Sequence, residues 1–246
     1  SCRMTETDLK RVAKSGSFFC YCAGVASYML EWYKVGGVRI RITNMTLPMK
    51  SGLSSSAAIC VLVARAFNLL YNLNLNTMGE MNIAYLGEQR TSSRCGRLDQ
   101  ACAFGVKPNL MTFDGDEIEV QSLNVKKTLH WVFADLCTAK DTIRILSDLN
   151  KPYPFAQNEK EQNLHRALGE WNHKIIERAV KYMAEGQVEQ LGQLMTETEN
   201  MFEEYITPMS PALQAPKLHE VLRDPAIQPL VYGGKGVGSH GDGSVQ

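Results

Sequence analysis

Apolar positions recur at helical spacing over much of the chain and alternate at strand spacing in a few short segments. Residues 5–33 have helical periodicity and contain the apolar run SFFCYCAGVASYMLEWY, which predicts a helix packed on a sheet. In GGVRIRITNMTLP, Val38, Ile40 and Ile42 alternate with polar residues, which is the period of a half-exposed strand that ends at Pro48. We therefore expect a strand to lead into the loop that follows.

Helical spacing returns after this loop and again in the second half of the chain. We predict one helix to about Asn72 and a second from about Thr77, where Thr77 and Glu80 have the spacing of a capping box. Strands are predicted in NLMTFDG, EIEVQSL and LHWVFADL, and residues 154–204 are mostly helical. Runs of helices broken by short strands indicate an α+β fold, with a join between domains near residues 125–160.

Composition and charge narrow the class of protein. The chain has 246 residues, of which 44% are hydrophobic, and its 26 basic and 26 acidic residues cancel, so no strong net field favours nucleic acid or an anionic membrane. The 7 cysteines are odd in number and form no CxxC pair, which favours reduced thiols over disulfides or a zinc site. With no signal peptide or long apolar run, we expect a soluble, cytoplasmic protein. The chain starts inside an amphipathic pattern, so we expect a truncated N-terminus.

The segment PMKSGLSSSAA, residues 48–58, places three serines at the start of a predicted helix. A helix start carries unpaired N–H groups and partial positive charge, and a glycine turn lets a phosphate approach the backbone closely. The alternative is that Ser54 only caps the helix, but one cap needs one hydroxyl. The P-loop pattern GxxxxGK[ST] does not occur, and the glycine spacing of GKGVGSHGDG at 234–243 is followed by no long helix, so it is a weak dinucleotide motif.

Two acidic residues stand where phosphoryl transfer would use them. Glu88 falls at the end of the second predicted helix, and Asp99 follows eleven residues later in CGRLDQ. Phosphoryl transfer needs a phosphate cradle, a metal that neutralises charge, and a carboxylate that accepts or orients the proton of the attacking hydroxyl. The alternative is that both are solvated surface carboxylates.

Taken in order, PMKSGLSSSAA, Glu88, CGRLDQ and the terminal GGKGVGSHGDG loop resemble the GHMP kinase superfamily, and most closely its galactokinase-like sugar kinases. The resemblance implies a ribosomal protein S5 domain 2-like N-terminal domain at residues 1–130 and a ferredoxin-like C-terminal domain at residues 131–246, with the site between them. The first motif of the family, an N-terminal strand and loop, has no counterpart in this sequence. His240 and Asp242 also stand where relatives mostly have glycine.

The resemblance further implies a role for individual residues. Asp99 would be the catalytic base, and Ser56 and Glu88 would bind Mg²⁺. The residues implied for ATP binding are Lys50, Ser51, Gly52, Leu53, Ser54, Ser55, Ser56, Gly236 and Gly238.

The expected function is therefore an ATP-dependent kinase that phosphorylates a hydroxyl of a sugar or sugar acid, with no nucleic-acid or membrane partner. Two alternatives stay open: a kinase of a non-sugar alcohol such as a mevalonate- or homoserine-like acid, and a catalytically silent protein that binds nucleotide and sugar as a sensor. The sequence leaves the acceptor, the adenine pocket and the oligomeric state undetermined.

Overall fold

The computed structural model describes residues 2–17, 19–46, 53–92, 95–138 and 141–246. These residues form two compact units, one containing residues 2–46 with Ser54–Lys107 and the other containing Leu53 with Pro108–Gln246. The proposed domain division, 1–130 and 131–246, stays a prediction.

Helices build the first unit. They are α1 (Glu6–Ala13), α2 (Cys20–Trp32), α3 (Ser55–Tyr71), α4 (Thr77–Glu88) and a 3₁₀ helix (Asp99–Phe104). The helices α2, α3 and α4 pack on one another, and the 3₁₀ helix packs on α3 and α4. Met29, Cys60 and Phe67 are completely buried between them. This packing holds the end of α4 against α3.

The backbones of α2 and α4 meet closely just before the end of α4. A Cβ atom on Gly24 would lie 2.3 Å from the carbonyl oxygen of Gly87, and one on Gly87 would lie 2.6 Å from the Cα of Val25. Only glycine allows this approach, because any side chain at either position would overlap backbone atoms. The contact places Glu88, the next residue, inside the unit.

The predicted capping box at the start of α4 is wrong. Asn76 is the N-cap, and its side-chain oxygen accepts a hydrogen bond from the N–H of Gly79 at 2.8 Å. The carboxylate of Glu80 is buried and accepts hydrogen bonds from Arg65 Nε and Asn68 Nδ2, both at 2.8 Å. Glu80 pairs with side chains of α3 and does not cap α4. A buried carboxylate without charged or polar partners would cost more free energy than the absence of a second cap at an exposed helix end.

The strand predicted over Val38–Ile42 does not pair within the part of the chain that the structure describes. Residues 35–46 have no regular secondary structure, and Ile40 and Ile42 are exposed. Alternation meets only one condition for a strand, since a strand also needs a neighbour for its backbone hydrogen bonds.

Two small antiparallel sheets lie in the second unit. The strands β1 (Asn109–Asp114) and β2 (Glu117–Ser122) form a hairpin in which Asn109 faces Ser122. The strands β3 (Ala134–Asp135) and β4 (Ser244–Val245) pair in the second sheet. Both strands of the hairpin were predicted, whereas the segment LHWVFADL forms only the two residues of β3.

The remaining helices of the second unit are α5 (Thr142–Asn150), α6 (Glu159–Arg166), α7 (Asn172–Glu185), α8 (Val188–Tyr205) and α9 (Pro216–Leu222), with a π-helical turn at Ala167–Trp171 between α6 and α7. The helical prediction for residues 154–204 is confirmed, but α5 was not predicted. A core of Ile145, Leu164 and Phe202 joins α5, α6 and α8. Within the described residues, no helix combines the length and apolarity needed to cross a membrane.

Candidate active site

The helix α3 starts with an unusual backbone conformation. Its N-cap Ser54 has φ 53° and ψ 39°, in the left-handed region, and the Ser54 side chain makes no cap hydrogen bond. A serine that served only as a cap would have extended backbone and would accept a first-turn N–H. The simple capping interpretation therefore does not hold for Ser54, and a left-handed residue before a helix is a conformation that directs N–H groups towards an anion.

The structure describes three further residues of the predicted phosphate loop, which flank Ser54 in the sequence. Leu53, Ser55 and Ser56 are half-buried. Lys50, Ser51 and Gly52 lie outside the described residues, so their predicted role in ATP binding stays a prediction.

Glu88, the last residue of α4, is completely buried. Its Oε2 accepts a hydrogen bond from Nε2 of Gln100 at 3.0 Å, whereas Oε1 has no hydrogen-bond partner among the residues that the structure describes. A buried carboxylate oxygen without a donor is unfavourable unless a cation or a water satisfies it. The predicted metal ligand thus has one oxygen held in place and one available.

Three thiols that are distant in sequence lie around this carboxylate. Burial is the main cause of a raised pKa at Cys20, Cys60 and Cys95, and the charge of Glu88 raises all three further; the pKa of Cys95 is raised to about 12. Cys60 lies one turn after Ser56 on the same face of α3. The face of α3 that carries Cys60 and Ser56 is therefore the one on which the charge of Glu88 acts.

Asp99 begins the 3₁₀ helix and is exposed. Its neighbour Gln100 is completely buried and joins the end of α4 to the CGRLDQ loop, because its Nε2 also lies 3.2 Å from Sγ of Cys95. The guanidinium of Arg97 lies over the ring of Tyr85 at 4.8 Å from its centre. Asp99 thus lies in solvent, whereas its neighbour Gln100 anchors Glu88 inside the protein.

Arg65 is a further positioning residue that the sequence analysis missed. It contacts the carboxylate of Glu80 at 2.7 Å and donates from Nη2 to the carbonyl oxygen of Ala103 at 3.0 Å. These contacts tie the 3₁₀ helix that carries Asp99 to α3 and α4. Nothing in the sequence indicates that Arg65 contacts Glu80, 15 positions away, or Ala103, 38 positions away, because both contacts depend on how the helices pack.

In the second unit, the predicted glycine loop is an antiparallel hairpin. Lys235 exchanges backbone hydrogen bonds with Gln246, and the N–H of Val237 donates to the carbonyl of Ser244. Gly236 is buried, and a Cβ there would lie 2.8 Å from Nδ1 of His240, whereas Gly238 is exposed with φ 61°. The loop leads into a strand and not into the long helix that a dinucleotide-binding motif opens. This agrees with the weakness of that motif in the sequence.

Asp242 and His240, the two departures from the usual glycine pattern, both have structural partners. Asp242 Oδ1 accepts a hydrogen bond from the N–H of Leu218 at 2.9 Å and so stabilises the first turn of α9. His240 is 5% exposed and stacks on Phe202. The carboxylate of Asp242 is therefore used within the fold.

The described residues contain no group of three or more His, Cys, Asp or Glu side chains that could hold a metal ion. Mg²⁺ bound with a nucleotide does not need such a group, because it takes one or two protein oxygens and fills its shell with phosphate oxygens and water. The unpartnered Oε1 of Glu88 fits this requirement as one such protein oxygen.

Both the sequence and the fold of this chain are similar to those of GHMP kinases. Residues 20–106 match the family model described as the GHMP kinases N terminal domain, so this part of the chain is a GHMP kinase N-terminal domain. The predicted resemblance and the predicted GHMP kinase fold are confirmed.

The individual proteins that this chain resembles include galactokinases and, in fold, a mevalonate kinase. The galactokinase of Pyrococcus furiosus is 29% identical over 211 residues, which cover 76% of this chain and 59% of that protein, so the chain spans about three-fifths of this relative. The galactokinase of Lactococcus lactis complexed with galactose shares the fold with a TM-score of 0.68 at 16% identity, over 97% of this chain and 69% of that one. The L. major mevalonate kinase in complex with R-mevalonate has a TM-score of 0.61 at 18% identity, over 78% of this chain and 55% of that one.

Proposed function

We propose that the protein is an ATP-dependent kinase that transfers the γ-phosphate to a hydroxyl of a sugar or sugar acid. The observation that carries the proposal is the buried Glu88 carboxylate, whose Oε1 lacks a hydrogen-bond partner among the described residues. Galactokinase relatives at 29% identity support a sugar as the acceptor. The proposal includes a cytoplasmic location and no nucleic-acid or membrane partner.

Each proposed role follows from the environment of the residue. Asp99 is exposed at the start of its 3₁₀ helix, where its carboxylate can accept the proton of a substrate hydroxyl. Glu88 and Ser56 would hold Mg²⁺, which when bound supplies positive charge against the phosphates. The N–H groups of the first turn of α3, with Lys50, Ser51 and Gly52, would hold the phosphates, and Gly236 and Gly238 would also bind the nucleotide.

The N–H of Gly236 already donates to Glu199 at 2.8 Å. We therefore propose that Gly236 acts through the shape of its loop, and that the exposed Gly238 is the residue of this pair that contacts nucleotide.

The test is ATP-dependent phosphorylation across a panel of sugars and sugar acids by the full-length protein and by Asp99→Asn. We expect the substitution to lower the turnover rate on the order of 10²-fold or more, since a positioned base is lost. Asp114→Asn, at the exposed end of β1, is the matched control and should leave turnover unchanged. Equal turnover by Asp99→Asn and the unsubstituted protein would contradict the assigned base.

A second candidate is a kinase of a non-sugar alcohol, which the shared fold with L. major mevalonate kinase favours. Including mevalonate and homoserine in the panel separates the two candidates. A kinase of a non-sugar alcohol would form product with one of these acceptors and with none of the sugars. A catalytically silent binder would show heat of binding with nucleotide and sugar in calorimetry but form no phosphorylated product.

A further inference from the structure

One buried carboxylate oxygen contacts two residues of the glycine loop at Gly233–Gly243, one on its first arm and one in its turn. Glu199, on α8, is 4% exposed, and its Oε2 accepts a hydrogen bond from the backbone N–H of Gly236 at 2.8 Å. The same Oε2 lies 3.2 Å from Nδ1 of His240, four residues further along the loop. Glu199 therefore connects the first arm of the loop and its turn to one point on α8.

His240 is held against α8 by a second contact. Its ring is stacked on the ring of Phe202 with centres 3.6 Å apart and planes 7° from parallel. Phe202 lies one turn after Glu199 on α8. Phe202 therefore contacts the face of the imidazole, and Glu199 contacts its Nδ1 edge. The backbone of His240 has φ 60°, a left-handed conformation that is uncommon for residues other than glycine and persists only where the surrounding structure holds it.

The charges around Glu199 favour its ionised form. Burial is the largest effect and raises the pKa of this carboxyl, but the combined effect of His240, the Gly236 N–H and Lys235 is larger, so the pKa lies below its usual value. Lys235 donates from Nζ to the carbonyl of Gly236, and burial lowers its own pKa. From α9, His219 Nε2 lies 3.9 Å from Glu199 Oε1 and is closer to Glu203, at 2.8 Å.

We propose that Glu199 is a positioning residue for nucleotide binding: by holding Gly236 and His240 together, it fixes the shape in which the glycine loop meets the nucleotide. The inference rests on the proposed function. A loop so rich in glycine has many accessible backbone shapes, and fixing one of them before binding removes an entropic cost from the affinity. Glu199 acts through the loop, so its loss should weaken nucleotide binding without changing sugar binding.

The experiment compares Glu199→Gln and His240→Asn in the full-length protein. Glu199→Gln keeps an acceptor for the Gly236 N–H but removes the charge beside His240. His240→Asn removes the ring while keeping a residue type that tolerates a left-handed backbone. Glu197→Gln is the matched control, because Glu197 lies on the same helix and is exposed, with its carboxylate paired to Arg178.

Four measurements are made on each variant: the affinity for a non-hydrolysable ATP analogue with Mg²⁺ by calorimetry, the KM for ATP and for the sugar from steady-state kinetics, the melting temperature, and hydrogen exchange of the backbone amides at 233–246. We expect Glu199→Gln and His240→Asn to weaken the affinity and raise the KM for ATP by about tenfold, with faster exchange in the loop and unchanged KM for sugar. The double variant should lose less than the product of the two single effects, since both remove one contact.

A purely structural role predicts a different result, in which the melting temperature and the active fraction fall while the KM for ATP stays constant. That result, or equal exchange at 233–246 in Glu199→Gln and Glu197→Gln, would overturn the inference. Absence of analogue binding by the unsubstituted protein would instead contradict the proposed function. The exchange measurement needs no nucleotide and still decides whether Glu199 holds the loop.

Discussion

Replacing Gln100 by leucine tests the anchoring of Glu88 directly. Gln100 Nε2 is the donor that holds Oε2 of Glu88, and both residues are completely buried. Leucine keeps similar volume but removes the amide donor, so Oε2 would lose the hydrogen bond from Gln100 beside the already unpartnered Oε1. A buried hydrogen bond to a charged group contributes up to about 3 kcal/mol, and an unpaired buried charge adds to that loss, so we expect the free energy of unfolding to fall by about 3 kcal/mol or more.

The assay is urea unfolding of the Gln100→Leu and Gln89→Leu variants beside the unsubstituted protein. Gln89 is the matched control because its Nε2 donates to the backbone oxygen of Cys95 at 2.8 Å, a hydrogen bond between neutral groups in a half-buried place. Its replacement should cost about 1 kcal/mol. If the two variants lose the same stability, then Glu88 does not depend on Gln100, and the account of one anchored and one available oxygen fails.

Two further predictions concern titration. Since the pKa of Glu199 lies below its usual 4.5, its carboxylate stabilises the fold above about pH 4.5 and loses this effect as the pH falls through the lowered value. The melting temperature of Glu199→Gln should therefore lie below that of the unsubstituted protein near neutral pH and approach it in acid; a constant difference down to pH 3 would contradict this. With a pKa of about 12, Cys95 is a thiolate in about one molecule in 10⁴ at pH 8, so iodoacetamide should modify it far more slowly than the exposed Cys137, as followed by peptide mass spectrometry. Equal labelling rates would contradict the raised pKa of the partly buried Cys95 thiol.

Local patterns predicted the helices well, because the backbone N–H and C=O groups of a helix find their hydrogen-bond partners within the same segment. The predicted helix to about Asn72 ends at Tyr71, and the second begins at Thr77 as expected. Strands were less predictable, because a strand needs a distant partner; the hairpin of β1 and β2 has its partner nearby, whereas Val38–Ile42 has none among the described residues. The cap of α4 was misassigned to Thr77 because Glu80 is used by a tertiary contact.

The sequence by itself identified the order of the motifs, the serine-rich helix start and the two acids, since these depend on residue type and spacing along the chain. It also predicted the family, which the match over residues 20–106 confirms. The individual site residues stay a prediction that the experiments above test.

Only the tertiary structure decided what surrounds those residues. Burial of Glu88 follows from the close approach of Gly24 and Gly87, and its pairing with Gln100 follows from packing of the 3₁₀ helix on α4. The grip of Glu199 on Gly236 and His240 joins residues about 40 positions apart. Burial and pairing are properties of the packed chain, because they depend on which distant segments exclude water from a group, and no local pattern encodes that.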